Sequence, residues 1–336
     1  MVPDPTIQDT VRAGLRFTGQ STMDAWSIRD LLRELGWSRY DQWLSQETIL
    51  SFQRIKDLVE QFPTWQHRAA TGRPPTDDRV VLVALILRQY LHASFRRTES
   101  TLQLLTGFFG FDQVPDANTL SEKNRSGRCS TLLRRFKEFL LSLLPKRRPT
   151  IVTDATGYSN QKATWRETDY GLRATQDWLK THAAVEVPQL FFLNTVITKG
   201  RVHDSQKFGA VWDGFPSNVR PRRSLADSAY GGNECLAVAR AAGATPFHAI
   251  KSNARVVRDP KTDYQKRASF AVHWPNRNRQ LTAKRGAIET AFYCVKERFG
   301  HRLRCRDPVA RRNEILTKHL AHNIWVLTMR SFLVSG

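Results

Sequence analysis

The order of strand-like and helix-like segments after Pro149 restricts the fold of this 336-residue chain more than any other feature. Three strand candidates come first, and helices and strands then alternate. The strand candidates are Thr150–Thr153, Trp178–Val187, Gln189–Thr198, Ser224–Ala226 and Thr245–Ile250, and the helix candidates are about 204–214, Glu234–Ala242 and 284–300. The order predicts an α/β fold with a mixed five-stranded sheet and flanking helices, because a simple βαβ alternation would not begin with three successive strands.

This is the order of a ribonuclease H-like fold, in which the first and fourth strands lie side by side. Asp154 follows the first strand candidate, and Asp227 follows the fourth. We therefore expect the two carboxylates to be neighbours, although they are far apart along the chain. Taken alone, each aspartate could also be an ordinary turn residue at a strand end.

A third acidic residue, Glu289, lies in the helix candidate 284–300. At 100° per residue, Arg285, Glu289 and Lys296 share one narrow stripe beside an apolar face. Two aspartates at strand ends and a glutamate on a later helix can hold two divalent cations about 3.5–4 Å apart, an arrangement that assists phosphodiester chemistry. Magnesium suits such ligands, since it binds carboxylates and phosphate oxygens. The alternative is a surface ion pair between Arg285 and Glu289.

The sequence predicts that residues 1–148 form a helical domain for DNA binding or oligomerisation. Its helix candidates are Trp26–Leu35, Glu47–Phe62, Asp77–His92, Thr98–Leu105 and Leu132–Leu144. Thr119 and Glu122 have the spacing of a capping box, and the basic residues Lys123, Arg125 and Arg128 follow. These short helices are compatible with a helix-turn-helix-like DNA reader, and ordinary helical packing is the alternative.

Residues 149–336 are expected to form the ribonuclease H-like catalytic domain. A polar stretch at about 252–283 is rich in Arg and Lys, and we interpret it as an irregular basic insertion rather than as core. A C-terminal amphipathic helix is expected at Asn313–Leu333.

Positive charge is distributed along the whole chain. Lys and Arg number 52 against 31 acidic residues, which gives a formal net charge of +21. This excess predicts a polyanionic partner bound along an extended basic groove, and the alternative is a merely soluble basic protein. The four cysteines lack the paired spacing of a zinc site. Since neither a signal-peptide pattern nor a long apolar run is present, we expect a cytoplasmic protein without a membrane partner.

Three motifs together resemble those of DDE-type transposases of bacterial insertion sequences. Asp154-Ala-Thr-Gly and Leu-Ala-Asp227-Ser-Ala-Tyr-Gly are similar to the two aspartate motifs of this family. Arg285, Glu289 and Lys296 have the spacing of its Tyr-Arg-Glu-Lys signature. The segments Gly-x-x-His-Asp-Ser at 200–205 and Val-Pro-Asp-x-x-Thr-Leu at 114–120 are also similar to segments of these proteins.

One position departs from the signature. Its tyrosine falls on Thr282, which keeps a hydroxyl for a phosphate but loses the aromatic reach. The interval between Asp227 and Glu289 is also too short for the full β-rich insertion of some family members, so the resemblance does not extend to their DNA hairpin chemistry.

The resemblance implies a transposase that cleaves DNA at transposon ends and transfers the strand into target DNA. It implies that Asp154, Asp227 and Glu289 hold two Mg²⁺ or Mn²⁺ ions. Residues implied to contact DNA phosphates are Arg285, Lys296, His203, Tyr230 and Thr282. For Tyr230 the alternative is core packing, and for His203 it is a packed or surface residue without a role.

The implied partners are double-stranded DNA and further copies of the chain. The DNA would be the terminal inverted repeats and the target, and the copies would form a homodimer or a higher oligomer in a synaptic complex associated with the nucleoid. Two other functions remain open. One is a ribonuclease H-like endonuclease or resolvase without strand transfer. The other is a domesticated DNA-binding protein without activity, which the presence of all three acidic residues disfavours.

Overall fold

A computed structural model describes residues 37–63, 76–160, 164–168, 171–175, 178–251 and 253–334. Their contacts divide the described residues into two compact units. The helical unit contains the described residues up to Leu144 and those from Val295 onward, and the sheet unit contains those from Pro145 to Cys294. The helix candidate Trp26–Leu35 lies outside the described residues.

The helical unit is built around two largely buried helices. Its helices are α1 (Trp37–Gln61), α2 (Asp78–Tyr90), α3 (Phe95–Leu104), α4 (Thr106–Phe109), α5 (Ala117–Asn124), α6 (Gly127–Ser142) and α12 (Pro308–Val334). Every residue of α2 from Val80 to Leu87 is buried, which its unbroken apolar run explains. The C-terminal helix α12 packs against α1, α2 and α6. The sequence analysis places α12 in the catalytic domain, but its contacts are with these N-terminal helices.

The predicted capping box at Thr119 and Glu122 is wrong. Helix α5 begins at Ala117, so Thr119 lies inside its first turn. Asp116 is the residue that caps the helix, because its backbone is extended and its carboxylate accepts the Thr119 N–H at 2.9 Å.

The sheet unit confirms the ribonuclease H-like fold. Its strands are β1 (Thr150–Asn160), β2 (Thr164–Thr168), β3 (Gly171–Thr175), β4 (Trp178–Val187), β5 (Phe192–Lys199), β6 (Arg223–Ala226) and β7 (Thr245–Pro246), and β8 (Arg302–Leu303) follows in the helical unit. The order in the main sheet is β5-β4-β1-β6-β7. β1, β4 and β5 pair antiparallel, whereas β6 pairs parallel with both β1 and β7.

Three details of the sheet differ from the expected strands. β1 continues beyond Thr153 to Asn160, so Asp154 lies within the strand rather than after it. The hairpin β2–β3 lies between the first two predicted strands and was not expected. β7 ends at Pro246 rather than at Ile250. The amides of Phe247 and Ala249 nevertheless donate hydrogen bonds to β6 carbonyls, at 2.7 and 2.9 Å, so the chain continues along β6 beyond β7.

Helices cover both faces of the sheet. They are α7 (Ser205–Trp212), α8 (Asn233–Ala241), α9 (Asp263–His273), α10 (Pro275–Thr282) and α11 (Ala287–Phe299), with 3-10 turns at Ser228–Tyr230 and Ala283–Gly286. The Trp212 indole N–H donates to Thr153 Oγ1 at 2.9 Å, which places α7 on the Thr153 face. Phe292 of α11 packs against Phe192 of β5. Phe192 pairs with Val185, and Val185 pairs with Val152, so all three side chains point to the face opposite Thr153. Helix α11 therefore covers that face.

The expected irregular insertion at 252–283 is also wrong, because residues 263–282 form α9 and α10. Thr262 and Gln265 make a reciprocal capping box at the start of α9. Arg267 is buried, with its guanidinium over the rings of Phe247 and Phe270. The polar composition of this segment predicted an irregular loop, because it did not indicate that an arginine of α9 would be buried against aromatic rings. Among the described helices, none is both long and apolar enough to cross a bilayer.

We predict that Arg147→Ala destabilises the sheet unit by about 3–5 kcal/mol, because it removes the ion-pair partner of a buried carboxylate. The Arg147 guanidinium donates from Nε to Glu186 at 2.8 Å, and Glu186 is only 1 % exposed. Chemical unfolding measures the effect. The matched control is Arg148→Ala, which removes an exposed arginine and should change stability by less than about 0.5 kcal/mol. Equal small losses in both variants would contradict the prediction.

Candidate active site

Asp154 and Asp227 lie next to each other, where β6 ends beside the middle of β1. The parallel register pairs Thr153 of β1 with Ala226, the last residue of β6. The next residue along the chain is Asp154 in β1 and Asp227 after β6. Asp154 Oδ1 accepts the Ala155 N–H at 2.8 Å, and Asp227 Oδ1 accepts the Ala229 N–H at 2.9 Å. Backbone amides therefore orient both carboxylates, and Oδ2 of each is left for a ligand.

The electrostatic environment of Asp154 is unusual for a carboxylate. Burial, together with the charges of Asp227 and Asp204, raises the pKa of Asp154 from 3.8 to about 6. The Ala155 N–H and the Arg285 guanidinium act in the opposite direction, because they stabilise the ionised carboxylate. A partly buried carboxylate beside two like charges has a strong affinity for a cation.

Arg285 and Glu289 lie at the start of α11. The 3-10 turn Ala283–Gly286, which carries Arg285, packs against β6. Arg285 Nη1 is 3.7 Å from Glu289 Oε1, and the Glu289 side chain is 63 % exposed. Nowhere in the described part of the chain do three His, Cys, Asp or Glu side chains converge closely enough to hold a metal ion. The structure thus brings the two aspartates together without Glu289 joining them.

The remaining predicted site residues have different surroundings. Lys296 is half-buried on the part of α11 that belongs to the helical unit, and burial lowers its pKa. His203 is exposed, with Nδ1 2.8 Å from Ser205 Oγ. The Thr282 hydroxyl donates to the Asn278 carbonyl at 2.9 Å. His203 is therefore accessible to DNA, whereas the Thr282 proton is used within its own helix.

Tyr230 is 0 % exposed, and its ring packs against Phe208 with the centroids 5.6 Å apart. This placement of the ring favours the core-packing alternative.

Asp204 is a neighbour of the site that received no role in the sequence analysis. It forms an ion pair with Lys180 of β4, and its Oδ1 is 3.4 Å from His182 Nδ1. Asp204 is part of the Gly-x-x-His-Asp-Ser segment, which resembles a segment of the family, but only His203 of that segment was expected to contact DNA. Periodicity could not reveal Asp204, because its partners come from another strand.

The family model of the transposase DDE domain matches residues 145–324, more than half of the chain. The chain belongs to the DDE transposase family. A solved structure with detectable similarity is the cryo-EM structure of a piggyBac transposase synaptic complex with hairpin DNA. Its sequence is 11 % identical, the alignment covers 85 % of this chain and 72 % of that chain, and the TM-score is 0.36. A comparison with curated proteins finds no match. Because this TM-score is low, the ribonuclease H-like fold rests on the strand order of the transposase itself.

We predict that Asp154→Asn stabilises the transposase in cation-free buffer, and that the gain depends on pH. Below about pH 4 the carboxyl is protonated in both the folded and unfolded chains. Between pH 3.8 and about 6 only the unfolded chain loses the proton, so the stability of the wild type falls as the pH rises. The variant should be more stable by about 1–2 kcal/mol at neutral pH, with no difference at low pH.

Urea unfolding at several pH values measures this difference. The control is Asp259→Asn, which neutralises an exposed aspartate. A stability gain that is the same at all pH values would show that the Asp154 carboxylate carries no burial cost.

Proposed function

We propose that this transposase cleaves phosphodiester bonds at the ends of its element and joins the freed strand to target DNA. The observation that carries the proposal is the placement of Asp154 and Asp227 side by side, with Asp154 partly buried. Two adjacent carboxylates oppose each other's ionisation unless a cation lies between them. The site therefore suits metal-assisted chemistry on a phosphate.

The donor set fits Mg²⁺ or Mn²⁺, because it offers carboxylate oxygens and neither sulfur nor a close pair of histidines. Asp154, Asp227 and Glu289 would hold two such ions, with Glu289 contributing from its exposed position on α11. Bound in this way, the ions would lower the pKa of a water or 3′-hydroxyl and stabilise the charge that develops on the phosphate. No protein nucleophile is required.

The protein groups around the aspartates would orient the DNA. The Arg285 guanidinium is within electrostatic reach of Asp154, and it can hold a phosphate through two parallel hydrogen bonds. Lys296 of α11 would add a point charge. The exposed His203 would approach the phosphate backbone of the same DNA strand. Thr282 would have to release the Asn278 carbonyl before its hydroxyl could donate to a phosphate, because phosphodiester oxygens only accept hydrogen bonds.

The proposed partner is double-stranded DNA, as terminal inverted repeats and as target, bound by two or more copies of the chain. The net charge of +21 supports this proposal. On the sheet unit, exposed basic residues are concentrated around α9 and α10, namely Arg255, Arg258, Lys261, Lys266, Arg277 and Arg279. In the helical unit, Arg128 is engaged with Asp78 at 3.1 Å, which favours packing over base reading for this residue.

Asp154→Asn and Asp227→Asn should each reduce strand cleavage by at least a thousandfold while DNA affinity changes less than threefold, because several kcal/mol of transition-state stabilisation depend on cation ligands. Cleavage of a labelled duplex carrying an element end, and a gel-shift titration, measure the two effects. Asp259→Asn serves as the control and should cleave like wild type. Near-normal cleavage by either site variant would remove that aspartate from the centre.

The same assay separates the proposed function from its alternatives. Joining of the labelled end to a plasmid is expected, whereas cleavage without joining would indicate an endonuclease or resolvase. DNA binding with no cleavage by the wild type would indicate a domesticated binding protein.

Arg285→Ala should lower cleavage at limiting DNA by an amount equivalent to about 1.5–3 kcal/mol, because a charge-assisted phosphate contact is lost. Mn²⁺ binding should survive, since the arginine is not a ligand. Arg220→Ala, which removes an exposed arginine on the sheet unit, is the matched control. If both variants lose less than about 0.5 kcal/mol, Arg285 is only the surface partner of Glu289.

A further inference from the structure

The Asp204 carboxylate lies on the opposite face of the sheet from the Asp154 side chain. Residues paired directly across antiparallel strands point to the same face. Asp154 is paired with Ala183, and Ala155 is paired with His182, so His182 points to the face opposite Asp154. Asp204 contacts His182 at 3.4 Å and therefore approaches β1 from the α7 side. Asp204 is nevertheless within electrostatic reach of Asp154.

The charge of Asp204 is balanced mainly by one lysine. Lys180 lies two residues before His182 on β4, on the same face, and forms an ion pair with Asp204. His182 does not add a second positive charge at neutral pH, because burial lowers its pKa to about 4. The group behind the aspartates thus consists of one carboxylate, one ammonium and a neutral imidazole.

A second observation indicates that this region is built for a ligand. The Tyr230 hydroxyl is fully buried, and among the described residues it has no hydrogen-bond partner. It lies within electrostatic reach of Asp204, Asp154 and Asp227. Since buried hydroxyls are almost always hydrogen-bonded, this donor is available to a water or an ion ligand at the carboxylates.

We infer that Asp204 is a positioning residue of the active site, which strengthens cation binding by the Asp154–Asp227 pair from behind the sheet, with Lys180 setting the size of that effect. The inference rests on the proposed function, because it concerns the affinity of the same site. A negative charge behind a cation site attracts the cation through the low-dielectric sheet. A lysine paired to that charge weakens the attraction. The two residues therefore act in opposite directions.

Direct Mn²⁺ binding to the full-length, DNA-free protein tests the inference, with free Mn²⁺ measured by electron paramagnetic resonance. Asp204→Asn should raise the Mn²⁺ Kd by about three- to tenfold, because one negative charge behind the site is removed. Lys180→Met should lower the Kd by about twofold or more, because the charge of Asp204 is no longer balanced. Asp213→Asn, an exposed aspartate just beyond α7, is the control and should bind like wild type.

The opposite signs distinguish an electrostatic role from a structural one. If the ion pair only holds α7 in place, both variants should weaken binding to a similar extent and lower the unfolding midpoint together. That result, or an Asp204→Asn affinity equal to wild type, would overturn the inference. Should Asp204→Asn fail to fold, the sign of the Lys180→Met effect decides alone. Asp227→Asn is measured in parallel, since unchanged Mn²⁺ binding in that variant would refute the proposed site itself.

Discussion

The parallel pairing of β1 with β6 is the constraint on which the site depends. It places Thr153 beside Ala226, and the aspartates that follow are then adjacent although they are far apart along the chain. A shift of one residue in this register would turn one carboxylate to the other face of the sheet. Two contacts hold β1 in position. β4 pairs along almost all of its length, and the hydrogen bond from Trp212 to Thr153 fixes α7 against its face.

Adjacent carboxylates cost folding free energy, and the surrounding groups limit that cost. Amide hydrogen bonds to Oδ1 of Asp154 and of Asp227, and the nearby Arg285, favour the charged forms. The remaining repulsion and burial keep the pKa of Asp154 at about 6. An active site that binds cations must retain such uncompensated negative charge, because a fully neutralised pair would have little affinity for a metal ion.

The sequence predicts the sheet well because β-branched strands separated by clear helix signals have few alternative arrangements. The strand order and the helix that carries Glu289 follow from those patterns. Other features depend on contacts that no local pattern contains. Helices α9 and α10 were missed because Arg267 looks like a surface residue until it packs over Phe247 and Phe270. For Tyr230 the sequence left DNA contact and core packing open, and the packing of its ring against Phe208 favours the core. The partners of Asp204 come from β4.

The central claim is that Asp154 and Asp227 together bind the catalytic cation. Anomalous diffraction from a crystal of the protein soaked in Mn²⁺ tests it most directly, because the method locates the ion itself. We predict an anomalous peak in contact with a carboxylate oxygen of each aspartate, at about 2 Å, with Lys180 and Asp204 outside the coordination sphere. An ordered site without such a peak at saturating Mn²⁺, or a peak bound by other side chains, would contradict it.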